Sequence, residues 1–187
     1  QHFPGHGATV SDSHLELPKL DIDITLLEQR ELRPFKSLIE IGLSLVMTAH
    51  VLYPKIDVHP ATLSSVILKD ILRKKMNYTG VVISDDLEMK ALSNMTVENK
   101  AISAFSAGVD ILLEAYPPEN TLALDVACRM GRGVVHAIEK GVIAEAEIDG
   151  SHKRIDALVA RLGNLSNLTI ASDGKELREL LKDIIIA

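Results

Sequence analysis

The stretch Gly80-Val81-Val82-Ile83-Ser84-Asp85-Asp86-Leu87-Glu88-Met89-Lys90-Ala91-Leu92 sets the reading of the whole chain. A short, continuous apolar run opens on glycine and stops on two adjacent carboxylates, and helical pattern resumes from Leu87 to Leu92. An apolar run without alternation is a strand covered on both faces, as in a parallel sheet flanked by helices. The same grammar recurs on either side. Leu43 to Met47 (LSLVM) is a second buried strand ending on Thr48-Ala49-His50. Val109 to Leu113, led in by Gly108, is a third ending at Glu114.

Helical pattern fills the intervals. Thr25 and Glu28 fit a capping box that opens a helix to about Ile41, interrupted by Pro34 and stopped at Gly42. Further helices are predicted from Ser64 or Ser65 to Met76, Val97 to Ala107, Thr121 to Lys140 and Ala144 to Leu162. Strands alternating with helices define an α/β chain of successive βα units. Residues 3–24 carry neither periodicity, and a loop of roughly 20 residues in a compact domain is usually functional or disordered. After Gly163 the pattern changes to a linker over 163–167, an extended piece over 168–172 and an amphipathic helix over 174–187. The domain expectation is therefore 1–162, with 163–187 as a tail.

Composition bounds the function. The 187 residues are 47% hydrophobic and 25% charged with a formal charge of −6, the balance of a soluble domain with a sizeable core. A net-acidic chain offers no footprint for nucleic acid, and its one dense basic run, Arg73-Lys74-Lys75, reads as a solvated helix end. No apolar run approaches the roughly 20 residues of a membrane span. Cys128 is the single cysteine, so no internal disulfide is possible; it is expected to be buried or inert. That cysteine usage, and the lack of a charged-then-apolar opening segment, lead to the expectation of a cytoplasmic protein.

Ligands of parallel α/β folds bind beyond the C-terminal strand ends. That rim collects His2 and His6 from the opening segment, Asp12 and His14 from the long loop, His50 from the first full strand, Asp85 and Asp86 from the second and Glu114 from the third. Each also has a structural reading: Asp85 or Asp86 as a helix N-cap, Asp12-Ser13-His14 as a polar turn, His50 as a packed strand-end side chain, His2 and His6 as loop-bracing donors. Gly5 and Gly7 serve a tight turn or let the loop move as a lid. Zinc bound by His2, His6, Asp12 and His14 is disfavoured, because the two loop histidines lack the shared helix face of such sites, and no cofactor is expected.

The segments HFPGHG (2–7), DSH (12–14), MTAH (47–50), PATLS (60–64) and GVVISDDLEMKAL (80–92) together resemble family 3 glycoside hydrolases, and within them the bacterial β-N-acetylhexosaminidases of cell-wall recycling. The motifs stand in the family's order and cover roughly residues 1–160. This resemblance implies a (β/α)8 barrel of TIM type. A typical barrel needs roughly 250 residues, and the first residues here match the end of the fifth strand, so the expected fold is the C-terminal half, strands five to eight with their helices. A half barrel has raw edges and an open core, so it is expected to rearrange, to self-associate and close the barrel, or to fail to fold stably.

The resemblance also implies a retaining exo-glycosidase that removes terminal N-acetylglucosamine from muropeptide-like sugars. Asp85 would be the nucleophile, forming a covalent glycosyl-enzyme. The acid/base maps to His14 with Asp12 as its partner, in place of the family-typical second carboxylate. Imidazole titrates near about 6.5 in general and can give a proton to the leaving oxygen and then take one from water. His2 matches a histidine that bonds sugar hydroxyls. Gln1 stands where the family has lysine, so it keeps a donor and loses the charge. His50 is expected to line the substrate site. The alternative reading is a non-catalytic half barrel acting as a binding or assembly module.

Overall fold

The computed structural model describes residues 1–115 and 121–165. Its contacts divide the chain into two units, Gln1–Ile155 and Asp156–Ala187. The first carries all the elements discussed below; of the second, the described part is the C-terminal stretch of the last helix.

The predicted helix from Thr25 to Ile41 is two helices, α1 (Ile24–Gln29) and α2 (Leu32–Glu40). Pro34 explains the break. A proline inside a helix clashes with the carbonyl four residues back, here that of Arg30, and Arg30 leaves the helical region at φ −123°. Restarting at Leu32 puts Pro34 in the first turn, where its missing N–H is harmless. The N-cap is Asp23 rather than Thr25: its Oδ1 accepts the Leu26 N–H at 2.9 Å. Gly42, at φ +89°, ends this region beyond α2, as its position suggested.

Strand β1 (Leu45–Met47) pairs in parallel with β2 (Val81–Ile83), in the register Leu45↔Val81, Val46↔Val82, Met47↔Ile83. Single parallel bridges flank this two-stranded sheet, Phe3↔Thr48 on one side and Ile83↔Ile111 on the other. The third predicted strand, Val109 to Leu113, is thus one bridge among the described residues. Main-chain bonds still tie it to the β2 region, the Val82 carbonyl accepting the Asp110 N–H at 2.8 Å and the Ile111 carbonyl the Ser84 N–H at 2.9 Å, and side chains add to them. The Val82 N–H is taken by Asp110 Oδ2 at 2.8 Å, and the Leu113 N–H by Ser84 Oγ at 2.8 Å. Asp110 is drawn inward because its carboxylate also receives Arg73, Ser151 and Arg154.

Between β1 and β2 lie a short 3₁₀ turn (Ala61–Leu63) and a helix (Val66–Lys75) wound in wide i→i+5 turns, burying Ile67, Leu68, Ile71 and Leu72. The predicted helical run from Leu87 contracts to a 3₁₀ turn, Lys90–Leu92. Helix α3 (Val97–Ala107) follows, capped by Thr96 Oγ1 on the Asn99 N–H and ended by Gly108 at φ +114°. Helices α4 (Thr121–Glu139) and α5 (Glu145–Leu165) complete the described chain. Helix α5 runs on through Gly163, where a linker was expected; the extended piece and helix expected over 168–187 lie outside the described residues. Cys128 is exposed on α4, not buried.

The main core joins Phe3, Val46, Ile67, Leu72, Val82 and Leu92 with Val126 and Met130 of α4. Phe3 packs edge-on against Phe35 of α2, ring centroids 5.1 Å apart. Burying Phe3 while bridging it to Thr48 fixes His2 on one side and Pro4-Gly5 on the other at the sheet's C-terminal end.

Candidate active site

A cleft of about 910 Å³ opens at that end. Asp85 enters it from the turn after β2, Gln1 and His2 from the opening segment, Asp12 and His14 from the long loop, and Arg30 and Glu31 from the break between α1 and α2. Of the side chains given a catalytic or binding role by the resemblance, Gln1, His2, Asp12, His14 and Asp85 therefore face one space, and His50 does not.

The Asp85 carboxylate is asymmetrically held. Oδ1 accepts the Asp86 N–H at 2.9 Å, while Oδ2 stands 3.5 Å from His2 Nε2. One oxygen is thus fixed by main chain and the other faces the cleft. Burial pushes the His2 imidazole below its ordinary titration range against the pull of Asp85, with His6 and His14 adding to the depression. Neutral His2 presents a hydrogen-bonding group to the cleft and not a fixed charge. Asp86 turns away: its Oδ1 accepts the Glu88 N–H at 3.0 Å and the Ala115 N–H at 3.3 Å, the turn-capping role open to it from its position. Behind it, buried Lys100 donates to Glu88 at 2.8 Å. Burial, with the nearby Asp86 and Glu88 carboxylates, raises the Glu114 carboxyl above the ordinary range.

Asp12 and His14 form a local pair. Asp12 Oδ1 lies 2.9 Å from His14 Nδ1 and accepts the His14 main-chain N–H at 2.9 Å. The His14 N–H and then its side chain hold the Asp12 carboxyl below its usual range. A carboxylate accepts only, so Nδ1 carries the proton and Nε2 is left free to exchange one. The pair is solvent-exposed at the cleft edge. His6 is not part of it: its ring lies between Ser13 Oγ at 3.0 Å and Thr9 Oγ1 at 2.9 Å, bracing the loop that carries the pair.

The loop floor joins Gly5 to residues the sequence did not single out, Arg30, Glu31 and Tyr53. Gly5, at φ +156°, sits on the Glu31 stem so closely that an added Cβ would lie 2.6 Å from Glu31 Cγ. Arg30 Nε donates to Glu31 Oε1 at 2.6 Å, and the Tyr53 hydroxyl donates to the Gly5 carbonyl. Burial pushes the Tyr53 phenol up, so it remains a protonated donor. Only the Pro34 kink hinted that Arg30 and Glu31 would stand at a break, where the Arg30 side chain is half exposed and the Glu31 side chain is buried.

His50 is fully buried beneath the Asp85–Asp86 turn. It bonds Thr62 Oγ1 at 2.8 Å and the Asp86 carbonyl at 2.9 Å, so it supports the turn from below where a substrate contact was expected. Among the described residues no three His, Cys, Asp or Glu side chains are grouped to hold a metal, and no helix is long and apolar enough to cross a membrane.

Residues 1–158 match the model of the glycosyl hydrolase family 3 N terminal domain. A beta-hexosaminidase of Nitrosomonas eutropha is 41% identical over 121 residues, 64% of this chain and 35% of that protein. One from Neisseria meningitidis serogroup C is 42% identical over 120 residues, 64% of this chain and 33% of that protein. Among solved structures, CbsA from Thermotoga neapolitana superposes with a TM-score of 0.79 at 35% identity, covering 87% of this chain and 35% of that one. A family 3 beta-N-acetylglucosaminidase from Paenibacillus sp. str. FPU-7 gives a TM-score of 0.79 at 39% identity, covering 86% and 30%. The matched span is about a third of the length of these relatives. With its fold, its cleft and the match over residues 1–158 in agreement, the chain belongs to glycosyl hydrolase family 3.

Proposed function

We propose that this chain carries the nucleophile and the acid/base of a retaining exo-β-N-acetylglucosaminidase that releases terminal N-acetylglucosamine from peptidoglycan-derived muropeptides. Asp85 Oδ2 attacks the anomeric carbon as His14 Nε2, protonated, gives its proton to the leaving oxygen. Water then opens the glycosyl-enzyme, with His14 Nε2 taking the proton. Asp12 holds the imidazole's tautomer, and His2 and Gln1 offer hydrogen bonds to the sugar. The observation that carries this reading is that the Asp12–His14 pair and Asp85, whose Oδ2 is not taken by main chain, line one cleft. The names of the relatives support the N-acetylhexosamine substrate.

The same proposal takes Phe3, β1, β2 and Ile111 as four successive strand positions of a (β/α)8 barrel, the C-terminal half, with residues 163–187 as a tail. Their parallel order supports it. Closure by self-association and a cytoplasmic setting complete the reading, the latter supported by a lone, unpaired cysteine. Light scattering tests the association, and a monomer removes it.

The decisive experiment is hydrolysis of 4-nitrophenyl N-acetyl-β-glucosaminide beside Asp85→Asn, with mass spectrometry of a trapped 2-fluoro-sugar adduct. Turnover and adduct both vanish in Asp85→Asn. Turnover that persists in that variant defeats the assignment.

A further inference from the structure

His50, Thr62 and Thr48 are each fully buried and joined in one hydrogen-bonded chain that the mechanism above does not use. The Asp86 carbonyl, 2.9 Å from His50 Nε2, can only accept, so Nε2 carries the ring proton. Burial pushes this imidazole toward its neutral form; Asp85 and Asp86 pull the other way and Lys100 reinforces the depression. Nδ1 is then a bare acceptor, and the Thr62 hydroxyl proton lies between it at 2.8 Å and the Ala49 carbonyl at 3.0 Å. Thr48 Oγ1 stands 2.8 Å from Thr62 Oγ1 and accepts the Asp85 N–H at 3.4 Å.

Both ends of this chain therefore grip the same turn, Thr48 at the Asp85 amide and His50 at the Asp86 carbonyl. Between those two points lies the Asp86 N–H that holds Asp85 Oδ1. We infer that His50 is a positioning residue for Asp85: by clamping the Asp86 peptide it keeps Oδ1 on the main chain and Oδ2 presented to the cleft. The inference rests on the reading of Asp85 as nucleophile. His50 acts through the backbone and touches no substrate.

The first test is the long-range ¹H–¹⁵N spectrum of the His50 ring in the chain as it exists. A neutral Nε2–H tautomer that charges only below the ordinary imidazole range is expected. A ring that charges at or above the ordinary range of about 6.5, or the Nδ1–H tautomer, overturns the clamp. The second test uses His50→Leu and His50→Gln, the latter because its amide N–H reaches the Asp86 carbonyl. In His50→Leu the Asp86 amide proton moves upfield and kcat falls on the order of 10²-fold, with KM within about threefold, the scale of a small misplacement of a reacting group. His50→Gln restores both. An unmoved Asp86 amide in His50→Leu, or a rise in KM at constant kcat, overturns the inference. Asp85→Asn run alongside separates the two claims, since turnover surviving there sinks the nucleophile assignment alone.

Discussion

Asp110→Ala should be among the most destabilising single changes in this chain. The Asp110 carboxylate is 1% exposed and gathers Arg73 at 2.7 Å, Arg154 at 2.6 Å, Ser151 at 2.6 Å and the Val82 amide at 2.8 Å. Removing one side of a buried ion pair costs about 3–5 kcal/mol, because the other charge stays behind unpaired. The lower end applies here. Arg154 is 31% exposed and can hydrate, and Arg73 keeps the carbonyls of Tyr78 and Gly80. A stranded Val82 amide adds about 1 kcal/mol. A total of about 4 kcal/mol lowers the melting temperature by about 8–16 °C in a domain of this size. Thermal unfolding followed by circular dichroism measures it, with Ser151→Ala as the mild control at about 1 kcal/mol. A melting temperature for Asp110→Ala within about 2 °C of the parent would refute the view that this carboxylate pins the third strand position to β2.

Three further outcomes follow from the same geometry. Gly5→Ala drives a Cβ to 2.6 Å from Glu31 Cγ at a φ of +156°, and it should cost about 1–3 kcal/mol and lower kcat/KM by distorting the loop beside His2, read by melting and kinetics together. The Arg129 guanidinium holds Glu98 down to about 2 from an ordinary 4.5. The α3–α4 clasp is therefore intact above pH 4.5 and lost as pH falls toward 2, and Arg129→Ala should flatten the pH dependence of stability in that window. Asp12→Ala should lower kcat about 10²–10⁴-fold with little change in melting temperature, since it frees the His14 tautomer at an exposed site; an unchanged kcat dismisses the dyad.

Much of this architecture was legible in the residues because its signals are local. Continuous apolar runs located β1 and β2, and Gly42 and Gly108 marked where chain direction changes. Thr25 failed as a cap because Asp23, two residues earlier, offered a carboxylate to the same turn, and capping boxes do not register such competition. The strand at Val109–Leu113 thinned to a bridge through Asp110, whose partners Arg73 and Arg154 lie 37 and 44 residues away in sequence. At the site, Asp85 and Asp12–His14 were visible as titratable groups at strand and loop ends. His50 was visible too, but not its depth: which face of a strand end turns inward depends on Thr62, a residue without titratable chemistry. Arg30 and Glu31 carried no motif at all.

The Asp12–His14 pair is assembled entirely within three consecutive residues, one carboxylate oxygen serving both the main-chain and the ring nitrogen of its neighbour two positions on. Such a unit is modular. It borrows no strand, helix or core residue to set its tautomer, so a loop can change length or sequence on either side and still deliver a ready proton carrier. On the proposed reading, nucleophile and proton carrier stand on separate supports, one in the turn after β2 and one on a loop. Loop exchange among relatives should accordingly retune leaving-group preference while leaving the chemistry at the anomeric carbon intact.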